Sequence, residues 1–128
     1  MSAGPGGRPP GDPPVEGCPF CGIVSGQLPA RVVWETDLVI AFRDIAPVAP
    51  VHVLLVPRAH VPDALSLDES HASLLAEIAV VGRRVAEAEG IASSGYRLVL
   101  NVGEDGGNTV SHLHLHLLGG RRLAWPPG

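Results

Sequence analysis

The stretch "HLHLHLLGG", residues 112–120, limits the fold more than any other part of the chain. Strict alternation of two side-chain types suits one regular backbone, the β-strand, in which residues two apart share a face. His112, His114 and His116 then line one face, with neighbours roughly 7 Å apart along the backbone. Leu113, Leu115 and Leu117 line the other face and need an apolar layer to cover them. A face built only for solubility would draw on Thr, Lys, Arg or Glu. Placing three of the chain's six histidines there points instead to chemistry. Two chemistries fit: His-x-His can put two ligands on one metal ion, or one imidazole can act as a nucleophile assisted by the others.

The remaining elements follow from shorter patterns. "ARVVWET" and "LVIAFRDI", joined at Thr36 and Asp37, predict a hairpin. "VHVLLVP" is a third strand stopped by Pro57, "YRLVLNV" a fourth, and the histidine row a fifth. Ser66 and Glu69 have capping-box spacing, which predicts a helix starting near Ser66. Leu74, Leu75, Ile78, Val81 and Val85 give that helix one apolar face, and Gly90 stops it. His71, near its start, reads as a surface residue. A shorter helix should follow Cys18. The expected class is α+β: a five-stranded antiparallel sheet with one long and one short helix, the leucine face packed on the long helix.

The chain has 128 residues, enough for one domain. Its opening, "MSAGPGGRPPGDPPVEG" (residues 1–17), has little to bury and is expected to be a disordered tail before a domain spanning 18–128. It lacks the apolar middle of a signal peptide, and no stretch is long enough to span a bilayer, which predicts a cytoplasmic chain and no membrane partner. A net charge of −4 disfavours nucleic-acid polymers as partners, while a single nucleotide in a pocket stays open. Cys18 and Cys21, with two residues between them, suggest metal or redox chemistry. The βαβ surroundings of a thioredoxin-like pair are missing. In "NVGEDGGNTV", Gly103, Gly106 and Gly107 allow backbone N–H groups to approach an anion, and Asn108 and Thr109 add side-chain donors. The loop runs straight into the histidine row, so a phosphate held there would lie beside the imidazoles.

These residues resemble the histidine triad (HIT) family, whose signature His-φ-His-φ-His-φ-φ reads here His112-Leu-His114-Leu-His116-Leu-Leu. "CPFCGIVSGQLPA", "AFRDIAPVAPVHVLLVPRAH", "NVGEDGGNTVSH" and "LLGGRRLAWPPG" extend the resemblance from about Cys18 to Gly128. His116 stands where the nucleotidyltransferase branch has Gln. The tail "GGRRLAWPPG" is similar to the Hint branch, the purine nucleoside phosphoramidases. Asn108 and Thr109 stand where Hint proteins often have Gln and Ser.

The resemblance implies a HIT-like fold joined across a homodimer. It also implies hydrolysis of AMP-amine or GMP-amine conjugates through a covalent nucleotidyl-histidine on His114. His116 and His52 would line the phosphate, and Thr109 would serve the departing amine. The backbone at Thr109 and Val110 would hold phosphate oxygens. Asp44 would take the ribose hydroxyls. Phe20, Ile23, Phe42 and Ile45 would surround the base, Asn101 and Asn108 would lie near the leaving group, and Trp125 would reach the neighbouring subunit's site. Cys18, Cys21, His60 and His112 match a structural zinc site, with no organic cofactor. Alternatives are a dinucleoside polyphosphate hydrolase of the same family, a non-catalytic nucleotide-binding protein, and a metal-dependent hydrolase that uses the histidine row as ligands.

Overall fold

The computed structural model describes residues 13–128. Most of the expected tail, residues 1–12, lies outside the described residues. Residues 13–17 are exposed and hold only a turn.

The elements run α1 (Pro19–Ser25), β1 (Val32–Glu35), β2 (Val39–Arg43), β3 (Val51–Pro57), α2 (Ala72–Ala88), β4 (Tyr96–Val99) and β5 (Leu115–Gly119). The strands form one antiparallel sheet in the order β1-β2-β3-β5-β4. Cys18 caps α1, its sulfur accepting from the Cys21 backbone N–H, and Pro19 occupies the first turn, where a missing N–H costs nothing.

Period-two alternation divides the sheet into two faces. Val39 and Ala41 of β2, Val53 and Leu55 of β3, and Leu117 of β5 pack with Leu74, Ile78, Val81 and Val85 of α2. Gly82 lets this helix come close: a Cβ there would meet Leu55 at 3.1 Å and Leu98 at 3.4 Å. Ile40, Phe42, Leu54 and Val56 face the other way and pack with Phe20 of α1. His52 and His116 belong to this second face. His52 pairs with Leu118, and Leu54 pairs with His116, so the two imidazoles are diagonal neighbours on adjacent strands. No helix among the described residues is long and apolar enough to cross a membrane.

Three expectations need correction. The fifth strand begins at Leu115, and His112 and His114 precede it. Its pairing with β3 stops at Leu55 opposite Leu115, and Leu113 donates its N–H to the Val61 carbonyl instead (2.6 Å). The alternation survives this loss of the ladder, because Leu113 is buried in the α2-side core. The long helix does not begin near Ser66, which sits in a separate 3-10 turn, Ala64–Ser66, capped by Asp63. Asp68 takes the N-cap: its carboxylate accepts from the Ser70 N–H (2.9 Å), and His71 Nδ1 accepts from the Asp68 N–H (3.1 Å). The resulting turn, Glu69–His71, runs into α2. A carboxylate caps at least as well as a serine. His71 is therefore a buried capping residue, not a surface one.

Candidate functional site

Two clusters of polar side chains share the segment leading into β5. The first gathers Cys18 from the cap of α1, Cys21 one turn later, His60 after β3, and His112. His112 is fully buried, and its Nε2–H donates to the Pro57 carbonyl (2.8 Å). A neutral imidazole carries one ring proton, so His112 Nδ1 is bare and faces the other three groups. It lies 3.3 Å from Cys18 Sγ, 3.5 Å from Cys21 Sγ and 3.2 Å from His60 Nδ1, and Cys21 Sγ lies 3.3 Å from His60 Nδ1. A tetrahedral zinc with ordinary bond lengths gives ligand edges of about 3.3 Å between nitrogens and about 3.6 Å between sulfur and nitrogen. The donor set thus fits a closed tetrahedral cation, and the Pro57 carbonyl supplies the outer hydrogen bond that orients such a histidine. Burial pushes His112 down to about 4, which keeps it neutral. Burial also pushes the Cys21 thiol up, and a bound dication would oppose that by favouring the thiolate.

The second cluster contains His114, His116, His52 and Asp44. His114 Nδ1 donates to the His112 carbonyl (2.8 Å), so its Nε2 keeps a free lone pair. His116 is beside it, with ring centroids 5.2 Å apart. His116 Nδ1 lies 2.9 Å from His52 Nε2, and His52 Nδ1 accepts from the Val48 backbone N–H (3.1 Å). Asp44 Oδ2 is 3.3 Å from His52 Nε2, while Oδ1 accepts from the Ala46 N–H (2.8 Å). Asp44 therefore holds a turn and faces the cluster at once. Burial lowers His52, with Asp44 opposing. Burial lowers His116 as well, reinforced by His114 and His52.

A cavity of about 700 Å³ opens beside this cluster, lined by Arg31, Asp44, Ile45, Pro47, Pro50 and His52 among others. Its size suits a nucleoside-sized ligand. A smaller recess of about 320 Å³ is walled by Thr109, Val110 and Ser111 together with Cys18, Pro19 and His60.

The other expected site residues are distributed unevenly. Phe20 and Phe42 are core residues, packed edge to face at 5.5 Å, and Phe20 also packs edge to face with both His112 (5.9 Å) and His114 (5.1 Å). Ile23 packs on the same apolar cluster. Ile45 is fully exposed at the mouth of the larger cavity. Asn108 buries its Oδ1 without a partner among the described residues. Asn101 is half-buried just beyond β4, away from the walls of both cavities. Trp125 is largely exposed. Sequence reasoning missed the Val48 N–H and the Pro57 carbonyl, which are backbone groups with no letter of their own, and also Arg31, which nothing but position sets apart.

Comparison with known proteins points in one direction. The model of the HIT domain matches residues 25–123. An uncharacterized HIT-like protein of Synechococcus elongatus is 48% identical over 109 residues, covering 85% of this chain and 95% of that protein. The crystal structure of a HIT family hydrolase from Legionella pneumophila is similar with a TM-score of 0.85 at 48% identity, covering 87% of this chain and 99% of that one. A histidine triad nucleotide-binding protein from Candida albicans is similar with a TM-score of 0.73 at 27% identity, covering 85% and 82%.

Proposed function

This chain belongs to the HIT domain family, and from that premise we propose that it hydrolyses purine nucleoside 5′-phosphoramidates through a nucleotidyl intermediate on His114. One observation carries the reading: His114 Nδ1–H is engaged by the His112 carbonyl, which leaves Nε2 with a free lone pair. That nitrogen attacks the α-phosphorus. The new N–P bond forms as the bond to the amine breaks, and the amine leaves with a proton drawn from solvent through the Thr109 hydroxyl, which the later attack of water returns. Water then cleaves the phosphorus–imidazole bond, releasing the nucleoside monophosphate and restoring His114. The exchange of one P–N bond for another is close to balanced, which favours phosphoramidates over substrates with a stronger bond to break.

His116 lies beside the nucleophile and stabilises charge on the phosphate. Asp44 takes the ribose hydroxyls from the wall of the larger cavity. Thr109 and Val110, on the wall of the recess, serve the leaving amine and the phosphate oxygens. Cys18, Cys21, His60 and His112 hold a structural zinc, which when bound ties α1 to the segment carrying the nucleophile. The two thiols are free, as they would be in a reducing cytoplasm. The chain works as a homodimer joined along β4, which pairs only with β5 among the described residues and so leaves an edge to cover. A stable monomer at micromolar concentration in size exclusion would argue against the dimer.

The deciding experiment is AMP release from adenosine 5′-phosphoramidate by the protein and by His114→Ala. Rapid turnover that falls by about 10³-fold or more in a folded variant supports the reading. Turnover of dinucleoside polyphosphates alone would move it to that substrate class. Activity retained in the variant would name the wrong histidine.

A further inference from the structure

The row of hydrogen bonds ending at His116 contains a decision made by one backbone amide. The Val48 N–H points at His52 Nδ1 at 3.1 Å, so that nitrogen must be an acceptor and carries no proton. A neutral His52 then keeps its single proton on Nε2. The nearest acceptor for it is His116 Nδ1 at 2.9 Å, with Asp44 Oδ2 farther off at 3.3 Å. His116 Nδ1 must therefore be bare, and a neutral His116 holds its own proton on Nε2. The doubly protonated form of His52 would set an Nδ1–H against the Val48 N–H, donor against donor. Burial disfavours that cation as well.

We infer that His52 is a positioning residue whose hydrogen bond fixes His116 in the Nε2–H tautomer, and that it acts on the phosphate only through His116. The inference rests on the proposed reaction for its catalytic meaning. Two neighbouring rings then offer opposite functions: His114 Nε2 a lone pair for phosphorus, His116 Nε2 a proton for a phosphate oxygen. The other tautomer of His116 would direct a second lone pair at an anionic phosphate and oppose its approach. The same amide bears on metals. Asp44, His52 and His116 bring ligand atoms within 4.8 Å of one another. For His52 to bind an ion through Nε2, with Nδ1 already accepting, it would have to give up its last ring proton. The cluster therefore rejects the ion that the Cys18–His112 cluster suits.

The test reads the tautomer directly, on the full chain and without substrate. Histidine-selective ¹⁵N labelling, with two-bond proton–nitrogen correlation at about pH 8, above the ordinary histidine value, separates bare from protonated ring nitrogens. Bare Nδ1 and protonated Nε2 are expected on both His52 and His116. A protonated Nδ1 on either ring would overturn the inference, whatever the variants do. His52→Gln places an amide N–H close to where Nε2–H stood. It should retain the His116 tautomer and most of kcat, whereas His52→Leu should release the tautomer and lower kcat about 10-fold with little change in KM. A leucine variant that keeps both the tautomer and kcat, or a glutamine variant no better than leucine, would also sink it. If the tautomers are as expected but no phosphoramidate turns over, the proposed reaction fails and the tautomer assignment stands.

Discussion

The two clusters begin two residues apart, at His112 and His114, and both are largely buried, yet one joins its imidazoles to two cysteine sulfurs and the other to a carboxylate. Around His112 the bare ring nitrogen and the sulfurs converge, because the Pro57 carbonyl takes its proton on the far side. Around His116 the rings are joined head to tail, because the Val48 N–H occupies one end of the row and passes a fixed proton order along it. What separates the candidate metal site from the second cluster is the company the imidazoles keep: two sulfurs and the Pro57 carbonyl around His112, and the Val48 N–H and the Asp44 carboxylate around His52.

The largest expected effects come from crossing the comparison. His114→Ala should lose at least about 10³-fold in turnover while still binding one zinc per chain by elemental analysis. Cys21→Ser should do the reverse first, losing the metal and about 3 kcal/mol or more of stability, roughly 10 °C in thermal midpoint. If zinc stoichiometry drops with His52→Gln and not with Cys21→Ser, the two clusters have been assigned the wrong way round.

Next in size is the acid response. His112, His52 and His116 are all held neutral in the fold, with His112 at about 4. Below their ordinary value the unfolded chain binds protons that the folded chain refuses, so stability is full above about pH 6.5 and declines as the pH falls towards 4. The His112 shift alone is worth roughly 3 kcal/mol. Bound metal leaves the sign unchanged, since protons compete with the cation for Nδ1. Urea unfolding midpoints that stay level between pH 7.5 and 5 would contradict the burial of these rings.

The smallest effect belongs to Phe20, whose ring packs edge to face with both His112 and His114. Phe20→Leu should cost about 1 kcal/mol and leave tautomers and metal in place. A large loss of metal in this variant would mean that the clusters are coupled through packing more than through the chain.

Much of this was legible in the letters. Alternation gave the strands and their two faces, and the helical period of Leu74, Ile78, Val81 and Val85 gave α2. The clustered Cys18, Cys21, His60 and His112 and the choice of the central histidine came from the family resemblance. What escaped depends on partners. The start of β5 is set by where its pairing with β3 stops, at Leu55 opposite Leu115, not by its own alternation. Asp68 displaced Ser66 as a cap because both have workable spacing and only the path of the chain selects one. Phe20 and Phe42, given to the base by the resemblance, pack on each other in the core. Asn101 carried a resemblance but ends up apart from the cavity walls.

Position 48 shows the last of these limits most plainly. Its side chain is mostly exposed and its carbonyl accepts from Arg121, so a catalogue of substitutions would class the site as permissive. What His52 needs from it, however, is the amide hydrogen, which every amino acid but one supplies. A saturation library at Val48 should accordingly tolerate polar, apolar and charged residues alike and lose function at proline. The constraint is recorded not by a preferred residue but by a single forbidden one.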